Sequence, residues 1–405
     1  MKNIVISLLS AIVLSSAVSS VMANEMQMAS TKFLLDSVVS ESYSSGEAIK
    51  SSKVGYAYDL NGNLLLYISY KWDNEASVWV YSEKEEYTYD SQNNLLTQTV
   101  SLWNPEDAYW KRTIKNVSTY DAVGNQQTRT TLKWNATTEN WDNYLTADYT
   151  YDVNRNKVSE VVKRWTNNTW QNAGKSEYTY DAIGKLLAET ISTWKNNTWQ
   201  NSEKHTYTYN TNGEPIEHLY QGGINSDQWI NKEKEVWTYS DQGYMTSYTK
   251  YYWESSSWNN SEKEEYTCDA QGNQTVLVNM VWDAGNSIWL KSSKREYTYD
   301  VAGNQLSFNG YAWNSENNAW EHVGFSEYSY DEYGNLETDV VYKWDEEAGV
   351  WIEKSQKTYY YSAWTSSIRQ TATVNSPMSI KIIRNGQLFI QRGDKTYTVT
   401  GQEVK

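Results

Sequence analysis

The 405-residue chain contains one cysteine, three prolines, three histidines and four phenylalanines. The lone cysteine, Cys268, cannot form an internal disulfide, so no covalent staple holds the fold. The histidines, His205, His218 and His322, form no close cluster with cysteine in the sequence, which leaves a zinc-type centre without support. No nucleophile elbow, P-loop or dinucleotide fingerprint occurs. Basic residues are outnumbered, 35 Lys and Arg against 50 Asp and Glu, for a net charge of −15. That acidity argues against a nucleic-acid surface and for a soluble, self-repelling one. Beyond the N-terminal stretch no apolar run approaches the length of a membrane-spanning helix.

What is abundant is Trp and Tyr, 21 and 35 residues. They recur. The stretch Tyr178-Thr179-Tyr180-Asp181-Ala182-Ile183-Gly184 returns along the chain. Its Asp position falls at Asp59, Asp90, Asp121, Asp152, Asp181, Asn210, Ser240, Asp269, Asp300, Asp331 and Ser362. A nearly fixed step of this kind signals a repeat architecture.

A first Trp follows each anchor at a constant distance, as Trp72 follows Asp59 and Trp103 follows Asp90. A second precedes the next anchor at a constant distance, as Trp79 precedes Asp90 and Trp110 precedes Asp121. All length variation lies between the two. Long units, such as Trp72 to Trp79, exceed short ones, such as Trp165 to Trp170, by an even step. The one odd gap is in the unit from Asn210. An even step keeps every side chain on its face, so each Trp pair is expected to flank a β-hairpin loop. The Asp-x-x-Gly anchor suits a type I turn closed by a left-handed Gly. That loop places Tyr58 opposite Leu64, Tyr89 opposite Leu95 and Tyr180 opposite Leu186.

Strict alternation from Trp79 puts Trp79, Tyr81, Glu83, Glu85, Tyr87 and Tyr89 on one face. Val80, Ser82, Lys84, Glu86 and Thr88 take the other. The preference for Tyr and Trp over Leu, Ile and Phe points to a thin or partly open aromatic layer rather than a thick dry core. Ten units of two strands make about 20 strands and a sheet about 100 Å wide. The expected fold is all-β: about ten tandem two-stranded units in a long antiparallel, twisted or spiralling sheet, with a small C-terminal hairpin segment.

Residues 1–23 have the charged start, apolar stretch and small-residue end of a secretory signal. Residues 24–47 are polar and unpatterned apart from Phe33-Leu34-Leu35. The repeat array occupies 48–361, a Ser/Thr-rich linker 362–377, and a tail 378–405. Within the tail, Ile380-Lys381-Ile382-Ile383, Asn385-Gly386 and Leu388-Phe389-Ile390 form a hairpin signal. The unit from Asn210 carries Pro215 and has Gly222-Gly223 where the first Trp belongs, so a bend, bulge or unpaired edge is expected between about residues 213 and 224.

Three resemblances follow. The half-motif Tyr328-Ser329-Tyr330-Asp331-Glu332-Tyr333-Gly334-Asn335-Leu336 resembles the YD repeats of RHS-type proteins, which implies a β-shell able to enclose a cargo. The Trp spacing weakly resembles the aromatic hairpins of choline- and glucan-binding repeats. The tail, with Asn385-Gly386-Gln387-Leu388 and Tyr397-Thr398-Val399-Thr400-Gly401-Gln402-Glu403-Val404, resembles a shortened type IX secretion sorting domain. That likeness implies export through an outer membrane, with the export machinery as a partner.

Carboxylates are plentiful, but nearly all recur at repeat positions, where a scaffold role explains them. No catalytic activity, cofactor or metal is expected. The first functional reading is a secreted or surface protein acting in binding or adhesion, with a glycan or a surface protein as partner. The expected contact residues are Trp103, Trp110, Trp134, Trp141, Trp165, Trp170, Trp194, Trp199, Trp253 and Trp258, because Trp stacks on sugar rings. The second reading is a passive spacer or RHS-like shell. An outer-membrane barrel is disfavoured, since mid-strand positions on both faces carry charge or amide.

Overall fold

The computed structural model describes residues 32–44, 47–225, 228–364, 379–384, 387–392, 395–398 and 403–404. The signal-like stretch 1–23, most of the linker and the Asn385-Gly386 turn lie outside the described residues.

All described secondary structure is β. The first sheet starts with β1 (Lys32–Ser44), β2 (Glu47–Tyr58), β3 (Leu64–Asp73), β4 (Val78–Tyr89), β5 (Leu95–Asn104), β6 (Tyr109–Tyr120), β7 (Gln126–Asn135) and β8 (Asn140–Tyr151). It continues through β9 (Lys157–Thr166), β10 (Thr169–Tyr180), β11 (Leu186–Lys195), β12 (Thr198–Tyr209), β13 (Pro215–Asn225), β14 (Gln228–Tyr239) and β15 (Met245–Glu254). The remaining strands are β16 (Ser257–Cys268), β17 (Gln274–Asp283), β18 (Ile288–Tyr299), β19 (Gln305–Asn314), β20 (Ala319–Tyr330), β21 (Leu336–Asp345) and β22 (Val350–Trp364).

Each anchor is a hairpin turn. Asp59 exchanges backbone hydrogen bonds with Asn63 and Gly62, and Gly62 takes φ of +83°. The Asp59 carboxylate accepts from the Asn61 and Asn63 N–H groups, at 2.8 Å each, and from the Asn63 side-chain amide at 2.9 Å. The same network recurs at Asp90, Asp121, Asp152, Asp269, Asp300 and Asp331. The expected register holds: Tyr58 faces Leu64, Tyr89 faces Leu95 and Tyr180 faces Leu186.

The opposite hairpin ends also follow the even-step rule. In short units two left-handed residues, such as Asn167 and Asn168, make the loop between Thr166 and Thr169. In long units the loop spans from Asp73 to its partner Val78. Beside nine of the anchors, Tyr hydroxyls stitch hairpin to hairpin. Tyr58, Tyr89, Tyr120, Tyr151, Tyr180, Tyr209, Tyr239, Tyr299 and Tyr330 donate to the carbonyls of Leu35, Leu64, Leu95, Gln126, Lys157, Leu186, Pro215, Gln274 and Gln305, at 2.8–3.0 Å. Cys268 stands where another such Tyr would be.

Strict alternation fails inside the long strands. Between Tyr70↔Tyr81 and Ser69↔Glu83, β4 holds one extra residue, Ser82, and the ladder slips. Trp79 and Tyr81 therefore share a face with Lys84, Glu86 and Thr88, while Glu83, Glu85, Tyr87 and Tyr89 lie on the other. This corrects the single Trp/Tyr/Glu face expected from period two. The bulge recurs along the sheet, at Thr113 in β6 and Ser202 in β12 for example. There the extra hydroxyl bonds back across the ladder, Thr113 Oγ1 to the Val100 carbonyl at 2.9 Å and Ser202 Oγ to the Ile191 carbonyl at 3.1 Å. A second slip sits beside each Asp turn, where Leu65 is skipped between Leu64 and Leu66.

The sheet closes. β1 pairs with β2 on one side and with β22 on the other, with Val39 opposite both Lys53 and Thr358. Side chains lock this seam: Ser362 Oγ bonds Asp36 Oδ1 at 2.9 Å, and Tyr43 bonds Gln356 at 3.2 Å. The architecture is thus a closed 22-stranded antiparallel ring, and the expectation of a twisted or spiralling sheet is overturned. Two features explain the difference. Bulges bend strands and sharpen their twist, and here they recur from unit to unit. The closing strand lies within residues 24–47, which carry no repeat signature.

The C-terminal segment is more than a hairpin: β23 (Ser379–Arg384), β24 (Gln387–Arg392), β25 (Lys395–Thr398) and β26 (Glu403–Val404) form a four-stranded antiparallel sheet. The unit from Asn210 keeps its pairing but gains a further slip between Gly223 and Asn225, the irregularity expected there.

Twenty-two strands give the ring about 105 Å of wall across the strands. Among the described residues only Ala57, Leu66, Ile68, Tyr70, Ala147 and Leu277 are buried apolar side chains. Opposite walls packed on one another would bury a whole face, so the ring encloses open space. Eight-stranded barrels fill with side chains, whereas barrels of about 16–18 strands already leave an aqueous channel.

Candidate functional site

Nine Trp pairs form a band at the hairpin end opposite the Asp turns. Trp103 faces Trp110, Trp134 faces Trp141, Trp165 faces Trp170, Trp194 faces Trp199, and Trp253 faces Trp258. The remaining pairs are Trp72–Trp79, Trp282–Trp289, Trp313–Trp320 and Trp344–Trp351. All nine meet edge to face with centroids 4.9–5.1 Å apart. Every one of these rings is half-buried.

Cations link one pair to the next. Lys84 lies over Trp110 at 5.3 Å, Arg112 over Trp134 at 4.9 Å, Lys234 over Trp258 at 5.1 Å, and Lys291 over Trp313 at 4.5 Å. At these pairs part of a ring face is thus occupied by a neighbour, and half-burial leaves the rest of the band in contact with water. Below the band come ion pairs, Lys84–Glu86 at 2.9 Å, Lys175–Glu177 at 2.8 Å and Lys294–Glu296 at 2.7 Å, and then an exposed row of Thr.

The other face carries a second constellation, centred on the irregular unit. His205 Nδ1 and His218 Nε2 lie 2.9 Å apart, and His218 Nδ1 lies 2.8 Å from Glu235 Oε2. The Tyr248 hydroxyl donates to Glu235 Oε1 at 2.9 Å. Four side chains from β12, β13, β14 and β15 make one hydrogen-bonded relay. Rings hold it flat: Tyr220 stacks on His205 at 4.9 Å and Tyr207 on His218 at 4.7 Å, nearly parallel. Burial, and then the neighbouring His218, lower the His205 pKa. The His218 hydrogen bond holds the Glu235 carboxyl below its usual range. Burial, with Glu235 beside it, pushes Tyr248 up.

The histidine pair was not recognised as a cluster from sequence spacing. The signal was present, since the turn at Asn210 and the Tyr209↔Pro215 register place His205 and His218 diagonally on adjacent strands. Among the described residues no group of three or more His, Cys, Asp and Glu side chains is arranged to hold a metal ion.

Neither face offers lipid a continuous apolar band. One has the Lys and Glu rows; the other has Glu85, Gln98, Asn116, Glu160, Glu189, His205, Glu235 and Lys250 at mid-strand. A membrane barrel needs an apolar belt about 25 Å tall. No helix among the described residues is long and apolar enough to cross a membrane.

No protein-family model matches the chain, and no curated protein does. Solved structures do match. The TcdB2-TccC3-Cdc42 structure aligns over 88% of this chain and 19% of that one, at 14% identity and a TM-score of 0.38. A porin-like protein from Bacteroides uniformis aligns over 81% of this chain and 96% of its own, at 10% identity and a TM-score of 0.26. A protein of unknown function from Bacteroides fragilis covers 32% of this chain and 91% of its own, at 16% identity and a TM-score of 0.27. These are loose likenesses of β architecture and assign neither activity nor ligand.

Proposed function

We propose that the protein is an exported structural β-shell at the cell surface or outside the cell: a wide, water-lined ring without catalytic turnover. The observation that carries this reading is ring closure by β1, which pairs with β2 and β22 and leaves the ring no free strand edge. Polar rows on both faces and the scarcity of buried apolar side chains fit a wall wetted on each side. The signal-like start and sorting-like tail support export. The test uses Val39→Cys and Thr358→Cys in a Cys268→Ser background. Directly paired residues are within disulfide reach. Mild oxidation should therefore yield an intramolecular cross-link between the first strand and the last. Cross-links found only between molecules, or none, would refute the closed shell.

The Trp band favours a second reading, a platform for glycan or a surface protein. Half-exposed rings at nine equivalent places could contact repeating sugar units. Trp194→Ala with Trp199→Ala should then abolish binding on a glycan panel while shifting the melting temperature little. No glycan binding by the parent protein sinks this reading.

A further inference from the structure

We propose that His205 and His218 form a binding site for one divalent transition-metal ion of the Cu2+ or Zn2+ class. The proposal is independent of the shell reading and rests on the geometry of four side chains. The two imidazole nitrogens aim at one another across 2.9 Å. Behind each ring stands a carboxylate on the other nitrogen: Glu235 Oε2 at 2.8 Å from His218 Nδ1, and Glu203 Oε2 at 3.7 Å from His205 Nε2. A metal-binding histidine characteristically has a partner hydrogen-bonded as Glu235 is to His218, which fixes its tautomer and raises its basicity; Glu203 stands farther off, beyond hydrogen-bond distance. Tyr220 and Tyr207, stacked on the two rings, restrict their planes.

Proton placement points the same way. His218 donates its Nδ1–H to the Glu235 carboxylate, so its Nε2 carries a lone pair. His205 therefore donates from Nδ1. A cation entering between the rings replaces that single proton, which moves to His205 Nε2 and faces Glu203. Both rings stay neutral, as ligation requires. In a tetrahedral site with metal–nitrogen distances of about 2.0–2.1 Å, two nitrogens stand about 3.4 Å apart. Because the two nitrogens now aim at one another, admitting the ion takes about 0.5 Å of separation together with an in-plane swing of the rings that turns both lone pairs onto the metal.

The site is open to water, with the histidine side chains 20% and 17% exposed. It also lies among acidic groups, since Glu189 faces His205 on β11 and Glu235 faces His218 on β14. With two protein nitrogens, water completes the coordination. Imidazole suits Cu2+ and Zn2+, with Cu2+ preferred; Mg2+ and Ca2+ prefer oxygen ligands.

The test is calorimetric titration of the full-length protein with Zn2+, Cu2+ and Mg2+ near neutral pH. Expected is one Zn2+ per chain, Cu2+ bound more tightly, and no Mg2+ at this site. His205→Gln with His218→Gln should remove binding. Glu235→Gln, which keeps both nitrogens, should weaken it about 10–100-fold. His322→Gln lies in the Trp band against Trp344 and Trp351 and should change nothing. Melting without metal checks that each variant folds. A nitrogen hyperfine pattern from two imidazoles on bound Cu2+ reports ligation directly in the parent protein. Zn2+ binding no tighter in the parent than in the double-histidine variant, or a Cu2+ spectrum without imidazole nitrogen, overturns the proposal.

Discussion

Changing Tyr120, Tyr151 and Tyr180 together to Phe tests whether the hydroxyl staples hold neighbouring hairpins together. Each substitution keeps the ring and removes one hydrogen bond, to Leu95, Gln126 or Lys157, at 2.8–2.9 Å. A typical net hydrogen bond contributes about 0.5–1.5 kcal/mol. Successive staples lie two strands apart, about 9.6 Å, far enough for near-additive effects. The triple variant should lose about 1.5–4.5 kcal/mol, towards the lower end because turn-end carbonyls can recover water. Urea unfolding should show a lower midpoint with an unchanged slope, the sign that the exposed surface is the same. Tyr109→Phe, at an exposed ring beside a Trp hairpin, is the control and should stay within about 0.5 kcal/mol. Cys268→Tyr should move the other way by adding a staple. A triple variant as stable as the control would show that the hydroxyls do not stabilise the wall.

Two further outcomes are expected. Filling the repeat position at Gly223 should destabilise the ring, because even a Cβ there would collide with the Asn201 carbonyl oxygen, a backbone atom that cannot step aside. Gly223→Ala should cost about 1–3 kcal/mol, whereas Gly222→Ala meets only the flexible end of Lys232 and should be mild; equal melting temperatures would contradict this. Acid should loosen the turns. The side-chain amide of the Asn four residues on, with backbone N–H groups, holds Asp90, Asp152, Asp269, Asp300 and Asp331 below the usual carboxylate range. Their contribution is complete above the unfolded pKa of about 3.9 and is lost as pH falls through the lower folded values. Melting temperatures should therefore fall below about pH 4, less so when these residues are Asn, and a flat acid profile would count against the turn network.

The hairpins were legible because their determinants are local. An Asp, a Gly and two Trp at fixed spacing set both turns, and the Tyr58↔Leu64 and Trp103↔Trp110 registers follow. The faces were misread because Ser82, Thr113 and their counterparts look like ordinary alternating residues. The clue lay in unequal strand lengths, β4 being longer than its partner β3. Closure was illegible for another reason. β1 is defined by partners on β2 and on β22, and the latter lies at the far end of the array with no shared motif. The histidine relay was readable in principle from the hairpin register, but only once side chains were followed diagonally across the Asn210 turn.

Pairing of the first strand with the last also dictates when the ring can finish. During synthesis or export β1 emerges long before β22, with every other strand of the ring between them. Until then β1 and the growing end of the sheet each present an unpaired edge, the kind that recruits other chains. Each intervening hairpin can form on its nearest neighbour as it appears. The seam alone must await completion, so the slow, concentration-sensitive step of assembly is confined to one ladder. A chain interrupted before β22 leaves β1 waiting for a partner that only another molecule can supply.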